Sequence, residues 1–152
     1  MVEQSTEEKG ATGASTGLPT KFQLEIVTPE GQLAAVEVNE LLAPGHDGQL
    51  GILPQHTRYL AVLGVGEMAY RIDGEWQVLA MAQGLMEVEG DRVIILAQTA
   101  ELAHKIDVAR AQLAKERAEE RLADPDADID LERAQSSLAR ALVRLQAASR
   151  HV

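Results

Sequence analysis

The chain contains no cysteine, and aromatic residues make up only 3% of its 152 positions. Without cysteine there is no disulfide scaffold, no zinc ribbon and no thiol nucleophile. With so few rings the core must be aliphatic, and a 45% apolar composition supplies enough side chains to build one. Positive charge is also scarce: 14 Lys and Arg stand against 24 Asp and Glu, a net charge of −10. That balance argues against direct nucleic-acid binding, where cations must displace phosphate counterions. It argues equally against adsorption to anionic lipid through a basic face. No run of about 18 apolar residues occurs, so no segment reads as a membrane span.

Catalytic signatures are missing too. There is no G-x-x-x-x-G-K-[ST] phosphate loop and no G-x-S-x-G nucleophile elbow. Gly45, Gly48 and Gly51 recur at three-residue intervals without a lysine or a following helix, so they predict a tight loop needing positive φ. His46, Asp47 and His56 lack a ligand spacing such as H-E-x-x-H, and exposed loop histidines are expected there rather than a metal site.

Residues 1–20 are rich in Ser, Thr, Gly and Glu, without apolar periodicity. They have neither the basic start and apolar stretch of a secretory signal nor the arginines of a transit peptide. A disordered tail is expected over 1–20.

Glycine is absent after Gly90, and Pro125 is the only proline after Pro54. Charge divides at the same place. Residues 21–103 carry 4 basic and 12 acidic residues, whereas residues 104–152 carry 9 of each. Two architectures share the chain, and they join near Ala103.

The first reads as strands. Phe22, Leu24 and Ile26 alternate with polar neighbours, and Ala34, Val36 and Val38 follow the Pro29-Glu30-Gly31 turn. Leu60–Val65 is a short apolar run. Asp73-Gly74 predicts a hairpin between Met68–Ile72 and Trp76–Met81. Glu89-Gly90-Asp91 joins Leu85–Val88 to Arg92–Leu96. The continuous run Val93-Ile94-Ile95-Leu96 is expected to be buried on both faces. Short strands with frequent turns suggest a sandwich or barrel.

The second reads as two helices. Ile106–Ala123 lacks Gly and Pro and is rich in good helix formers. Asp124-Pro125-Asp126-Ala127-Asp128 ends it. Asp128 and Asp130 suit a helix start. Leu131, Ala134, Leu138, Leu142 and Leu145 form an apolar stripe thereafter. Alanine fills 11 of the last 49 positions, so this antiparallel hairpin is expected to pack closely but bury little area, and to dock elsewhere or move between docked states.

One stretch carries a specific resemblance. Pro44-Gly45-His46-Asp47-Gly48-Gln49-Leu50-Gly51-Ile52-Leu53-Pro54-Gln55-His56 resembles the G-x-x-G-x-x-G, I-L-P-x-H signature of ε subunits of bacterial F-type ATP synthases. The likeness continues through Gln83–Val88, Val93–Thr99 and Ile106-Asp107-Val108-Ala109-Arg110-Ala111, and covers residues 21–150. Arg58, Gln83 and Gln98 depart from it, standing where proline, glycine and aspartate are usual.

The resemblance implies an α+β chain: a ten-stranded antiparallel β-sandwich over 21–103, then a two-helix hairpin over 104–152. It implies a non-catalytic subunit of the central stalk, with the sandwich on the γ subunit and the ring of c subunits. Such a unit rotates with proton flow and transmits torque to the catalytic β subunits. It would lie on the cytoplasmic side of a bacterial inner membrane, peripheral to it. His46, Asp47, Leu53 and His56 are the candidate partner contacts. Their plainer reading is conformational, with the glycines making the turn and Ile52, Leu53 and Pro54 filling the core.

In this family the hairpin can also extend along γ and block ATP hydrolysis, its basic residues facing acidic segments of the β (and α) subunits. Arg133, Arg140, Arg144 and Arg150 outweigh Glu132 on the second helix, and Arg140 and Arg144 share a face. No cofactor is required, but some members bind a regulatory ATP in the folded hairpin through an I/L-D-x-x-R-A motif. Ile106, Asp107, Arg110 and Ala111 match it, and Glu101, Arg117, Arg140 and Arg144 match further contact positions. Guanidinium forks suit phosphate oxygens. Asp107 also reads as an ordinary helix-start acid that pairs with Arg110, and the arginines as a solvated helix face. A rival to the stalk role is a free-standing sandwich that binds a small ligand beneath a helical lid.

Overall fold

The computed structural model describes residues 17–124, 128 and 130–150. Most of the 1–20 tail and the expected break at residues 125–127 lie outside these described residues. Eight strands precede two helices. The strands are β1 (Phe22–Thr28), β2 (Gly31–Val38), β3 (Glu40–Gly45), β4 (Gly48–Ile52), β5 (Tyr59–Leu63), β6 (Gly66–Ile72), β7 (Glu75–Glu89) and β8 (Arg92–Leu102). A 3-10 turn at Ala103–Lys105 leads to α1 (Val108–Ala123) and α2 (Leu131–Ser149).

The strands form two packed layers that share their longest members. One layer is ordered β2-β1-β8-β7-β5. In the other, the first half of β7 pairs with β6, β6 with β3, and β3 with β4. The expected ten strands appear as eight because β7 and β8 run through both layers. The β7–β8 ladder is interrupted at Gln83 and Gln98; dividing both strands there yields ten segments. The sheet is also not wholly antiparallel. β1 and β8 pair in parallel, Leu24 opposite Val93 and Ile26 opposite Ile95. These strands are remote in sequence, so no tight hairpin forces them antiparallel.

Alternation places the core. Leu24, Ile26, Leu63, Met86, Val93 and Ile95 from one layer meet Leu41, Ile52, Met68, Leu79 and Met81 from the other. Tyr70 is the one ring pushed well inside besides Phe22, and burial raises its phenol pKa above the ordinary value. At the sandwich rim the Asp73 carboxylate beside Lys21 raises that ammonium above its ordinary range.

Two strands were hidden in the glycine-rich segment. β3 and β4 form a hairpin whose turn is His46-Asp47, with Gly45 paired to Gly48. Of its three glycines only Gly48 has a positive φ, +141°. Gly45 is needed for close approach instead, since a Cβ there would lie 2.7 Å from the Gly48 carbonyl. Leu53 does not fill the core: it is 55% exposed, while Ile52 is buried.

α1 starts two residues later than the composition suggests, because Asp107 caps it. The Asp107 carboxylate accepts the Arg110 backbone N–H at 2.9 Å, rather than pairing with the guanidinium. Asp130 caps α2 in the same way through Arg133. The helices meet along Ala111 and Ala118 on one side and Ala134 and Ala141 on the other. The expected stripe is buried only in part: Ala134 is buried, Leu138 and Leu145 are half-buried, and Leu131 and Leu142 are exposed. Alanine lets the axes approach, and leucine at those positions is displaced to the flank. α2 lies on the sandwich through Val143, Ala147 and Ala148, which pack on Val78, Ala80, Ala103 and Ile106.

Gln83 sits at the joint of β7 with φ +50°, in the left-handed region, and donates its backbone N–H to the Gly64 carbonyl at 3.1 Å. The resemblance places glycine there. A left-handed conformation costs a non-glycine residue roughly 1–2 kcal/mol, partly offset by the entropy that glycine loses in a strand. Gln83→Gly is therefore expected to stabilise the fold by about 0.5–1 kcal/mol, measured as a higher urea midpoint at unchanged m-value.

Candidate functional site: an arginine-lined pocket under the hairpin

Three elements converge on one cavity. β8 supplies Glu101 near its end. Asp107 supplies a carboxylate at the cap of α1, and Arg110, Ala111, Ala114 and Arg117 follow on successive turns of that helix. α2 runs back alongside and contributes Ser137, Arg140, Ala141 and Arg144. The helical spacing makes this possible, because residues three and four apart share a face. The cavity encloses about 370 Å³. Small side chains at Ala111, Ala114 and Ala141 leave that space open.

Four guanidinium groups line it against two carboxylates. Arg144 Nε donates to Glu101 Oε2 at 3.0 Å, tying α2 to β8. Arg140 donates to the hydroxyls of Ser136 at 2.6 Å and Ser137 at 3.1 Å. Those bonds fix its fork against its own helix. Arg110 and Arg117 are exposed on α1. Chemically, the arrangement offers charge-assisted donors for a polyanion and two acceptors for amino or hydroxyl groups.

Of the eight residues expected to form a nucleotide site, the structure brings seven to this wall: Glu101, Asp107, Arg110, Ala111, Arg117, Arg140 and Arg144. Ile106 is elsewhere. It is buried beneath α2 with Ala80, Ala103 and Ala147, where it helps seat the helix. Sequence reasoning missed Ser136, Ser137, Ala114 and Ala141. The serines precede Arg140 by four and three residues, a spacing that signals local bonding.

The four candidate contact residues lie elsewhere, at the β3–β4 turn and after β4. His46 and Asp47 border an open depression with Tyr59, Leu60 and Val62 of β5. Leu53 is exposed. The His56 ring is tilted against Tyr59 at 6.1 Å, and its Nδ1 lies 2.8 Å from the Thr57 carbonyl oxygen. A larger apolar surface continues from that depression. Val62 pairs with Leu85, and Leu85 with Leu96, across three strands. All three are exposed, Val62 at 65% and Leu96 at 52%. The run Val93–Leu96 is therefore buried on one face only: Val93 and Ile95 point into the core, and Leu96 points out. Among the described residues, no helix is long and apolar enough to cross a membrane, and no cluster of potential metal ligands occurs.

Comparison with known proteins settles the family. The pattern described as ATP synthase, Delta/Epsilon chain, beta-sandwich domain matches residues 21–103, and that of the long alpha-helix domain matches residues 104–149. The chain belongs to the ATP synthase delta/epsilon family. It is 44% identical over 126 residues to the ATP synthase epsilon chain of Desulforamulus reducens, covering 83% of this chain and 96% of that one. It is 47% identical over 131 residues to ATP synthase epsilon chain 2 of Syntrophotalea carbinolica, covering 86% and 95%. Its fold resembles a chain of the Euglena gracilis mitochondrial ATP synthase, with a TM-score of 0.72 at 19% identity over 98% of this chain and 91% of that one. A chain of the Tetrahymena thermophila mitochondrial central stalk and c-ring aligns with a TM-score of 0.54 at 16% identity, over 87% and 99%.

The Glu101–Arg144 pair is about one-third exposed on both sides. A double-mutant cycle with Glu101→Gln and Arg144→Gln, read by urea unfolding of the full chain, is expected to give a coupling of about 0.5–1 kcal/mol. It should shrink in high salt.

Proposed function

We propose that this chain is the ε subunit of the central stalk of a rotary F-type ATP synthase. The carrying observation is the joint match of sandwich and hairpin, residues 21–149, to that one family, on a fold whose two parts dock as a unit. In this reading the subunit contributes no catalytic residue. It couples proton passage through the c-ring and γ to synthesis on the β subunits. The exposed ladder Val62–Leu85–Leu96, continuous with the depression beside His46 and Asp47, is apolar surface of the kind an obligate partner covers. It supports contact with γ, and the β3–β4 turn with Leu53 and His56 supports contact with γ or the ring. An acidic chain held there is peripheral to the membrane, on the cytoplasmic side of a bacterial inner membrane, because a protein partner carries it.

The hairpin is the regulatory arm. It is held on the sandwich by small side chains, so its release exposes little apolar area. Extended, it places the arginines of α2 against the catalytic head, where acidic segments of the β (and α) subunits receive them. The folded arm senses ATP. A pocket of about 370 Å³ falls within the usual range for small ligands, roughly 300–1,000 Å³. Arg110, Arg117, Arg140 and Arg144 would take the phosphates, and Glu101 or Asp107 would accept from the adenine amino group. The pocket loses its Glu101 wall if the hairpin leaves, so nucleotide that also contacts Glu101 would stabilise the folded arm by mass action.

Two measurements test this reading. The first is ATP hydrolysis by the matching ε-depleted catalytic head after adding back the full chain or residues 1–103, with binding of both verified. Suppression by the full chain alone is expected; binding of neither would remove the stalk assignment. The second is calorimetric titration with ATP. Saturable heat is expected for the native chain, weakened by at least about 1.5 kcal/mol in Arg140→Ala or Arg144→Ala. No saturable heat up to millimolar ATP would remove the sensing role and leave the stalk role standing.

A further inference from the structure

The far end of α2 meets the sandwich at a carboxylate that is only half satisfied. Glu67 lies at the start of β6, outside the arginine pocket. Gln146 Nε2 donates to its Oε2 at 3.1 Å, and Arg150 Nε approaches the same oxygen at 3.3 Å. Its Oε1 is shielded from water and has no hydrogen-bond partner among the described residues. The Glu67 side chain retains 13% of its exposure, against 37% for Glu101 in its contact with Arg144 across the same interface.

Covering a carboxylate costs free energy unless its partners replace the lost water. At Glu67 they do so for one oxygen and not the other. The apolar seat beside it is thin, since Val143, Ala147 and Ala148 offer small side chains to Ala80, Ala103 and Ile106. A thin attractive seat and a half-compensated charge oppose each other in one interface.

We propose that Glu67 makes closure of the hairpin conditional on the end of α2: the carboxylate resists being covered, and the arrival of Arg150 and Gln146 offsets that resistance. This rests on the reading above that the hairpin leaves the sandwich. It adds a control distinct from nucleotide, because neither Glu67 nor Arg150 lines the arginine pocket. Anything that draws the Arg150 end of α2 away, such as an acidic surface on a neighbouring subunit, leaves an uncompensated charge behind and drives the hairpin further open. Release is thereby made self-reinforcing from the tip of α2.

The sign of the Glu67 effect distinguishes this from a simple clasp. The chain has no native cysteine, so spin labels at Glu75→Cys and Gln135→Cys report the distance between sandwich and hairpin in the full chain without nucleotide. Arg150→Ala is expected to lower the closed-to-open ratio about tenfold, the scale of stranding a partly buried charge. Glu67→Gln alone should leave the ratio unchanged or raised. Glu67→Gln added to Arg150→Ala should restore most of the loss. If Glu67→Gln opens the hairpin as Arg150→Ala does, or if Arg150→Ala leaves the ratio unchanged, the proposal is overturned. Ala147→Glu, which puts a charge into the apolar seat, separates the two readings. If it opens the hairpin while Arg150→Ala does not, the Glu67 proposal fails alone. If even Ala147→Glu leaves the distance closed, the moving-hairpin reading fails with it.

Discussion

The seating of α2 on the sandwich is the interaction on which the rest of this structure depends. It is made of Ala147, Val143 and Ala148 against Ala80, Ala103, Ile106 and Val78. Burying a side chain of alanine size contributes little at about 25 cal/mol per Å². The sandwich core, by contrast, buries Leu, Ile, Val and Met from both layers. One chain therefore contains a body with its own aliphatic core and an arm whose attachment is shallow. The arginine pocket is complete only while that attachment holds, because Glu101 belongs to the body and the other lining residues to the arm. Small residues along the α1–α2 seam have a second effect. They let the helices approach closely while keeping the cavity between Ala111, Ala114 and Ala141 open.

The outer surface of the sandwich follows a different rule. Val62, Leu85 and Leu96 are cross-strand neighbours on an open face. A lone soluble domain normally keeps such a row polar. Its apolar character fits the reading proposed above, in which a partner subunit covers this face.

Much of this was legible in the sequence, for reasons that differ by element. The Asp73-Gly74 hairpin formed because both residues accept positive φ, +49° and +96°. The division near Ala103 was visible because glycine and alanine obey opposite backbone demands. β3 and β4 were not legible, since glycines at 45, 48 and 51 masked the alternation of Leu41, Ala43 and Ile52. Leu96 was misassigned because a continuous apolar run reads alike whether its second face is covered by its own chain or by a partner. The leucine stripe of α2 failed in part: periodicity identifies a face, but the closeness of two helices decides whether alanine or leucine occupies the seam. At the pocket, the motif supplied Asp107, Arg110 and Ala111, and the further positions of the resemblance supplied Glu101, Arg117, Arg140 and Arg144. Ile106 was carried along by adjacency and proved to be part of the seat. Ser136 and Ser137 escaped notice because their spacing from Arg140 signals a bond within one helix, not a place beside a pocket.

β7 and β8 each run through both layers, fifteen and eleven residues long, with one interruption of their ladder at Gln83 and Gln98. The two layers are therefore not separate plates held by side chains alone. To slide one past the other, the shared ladders must break backbone hydrogen bonds at several registers at once. Such a body is stiff in shear, while the arm beside it is compliant. A load applied to the outer face would travel through covalent strand and hydrogen-bonded ladder, bypassing the alanine seat. Twist applied to the sandwich is therefore resisted by strand and ladder rather than by the alanine seat.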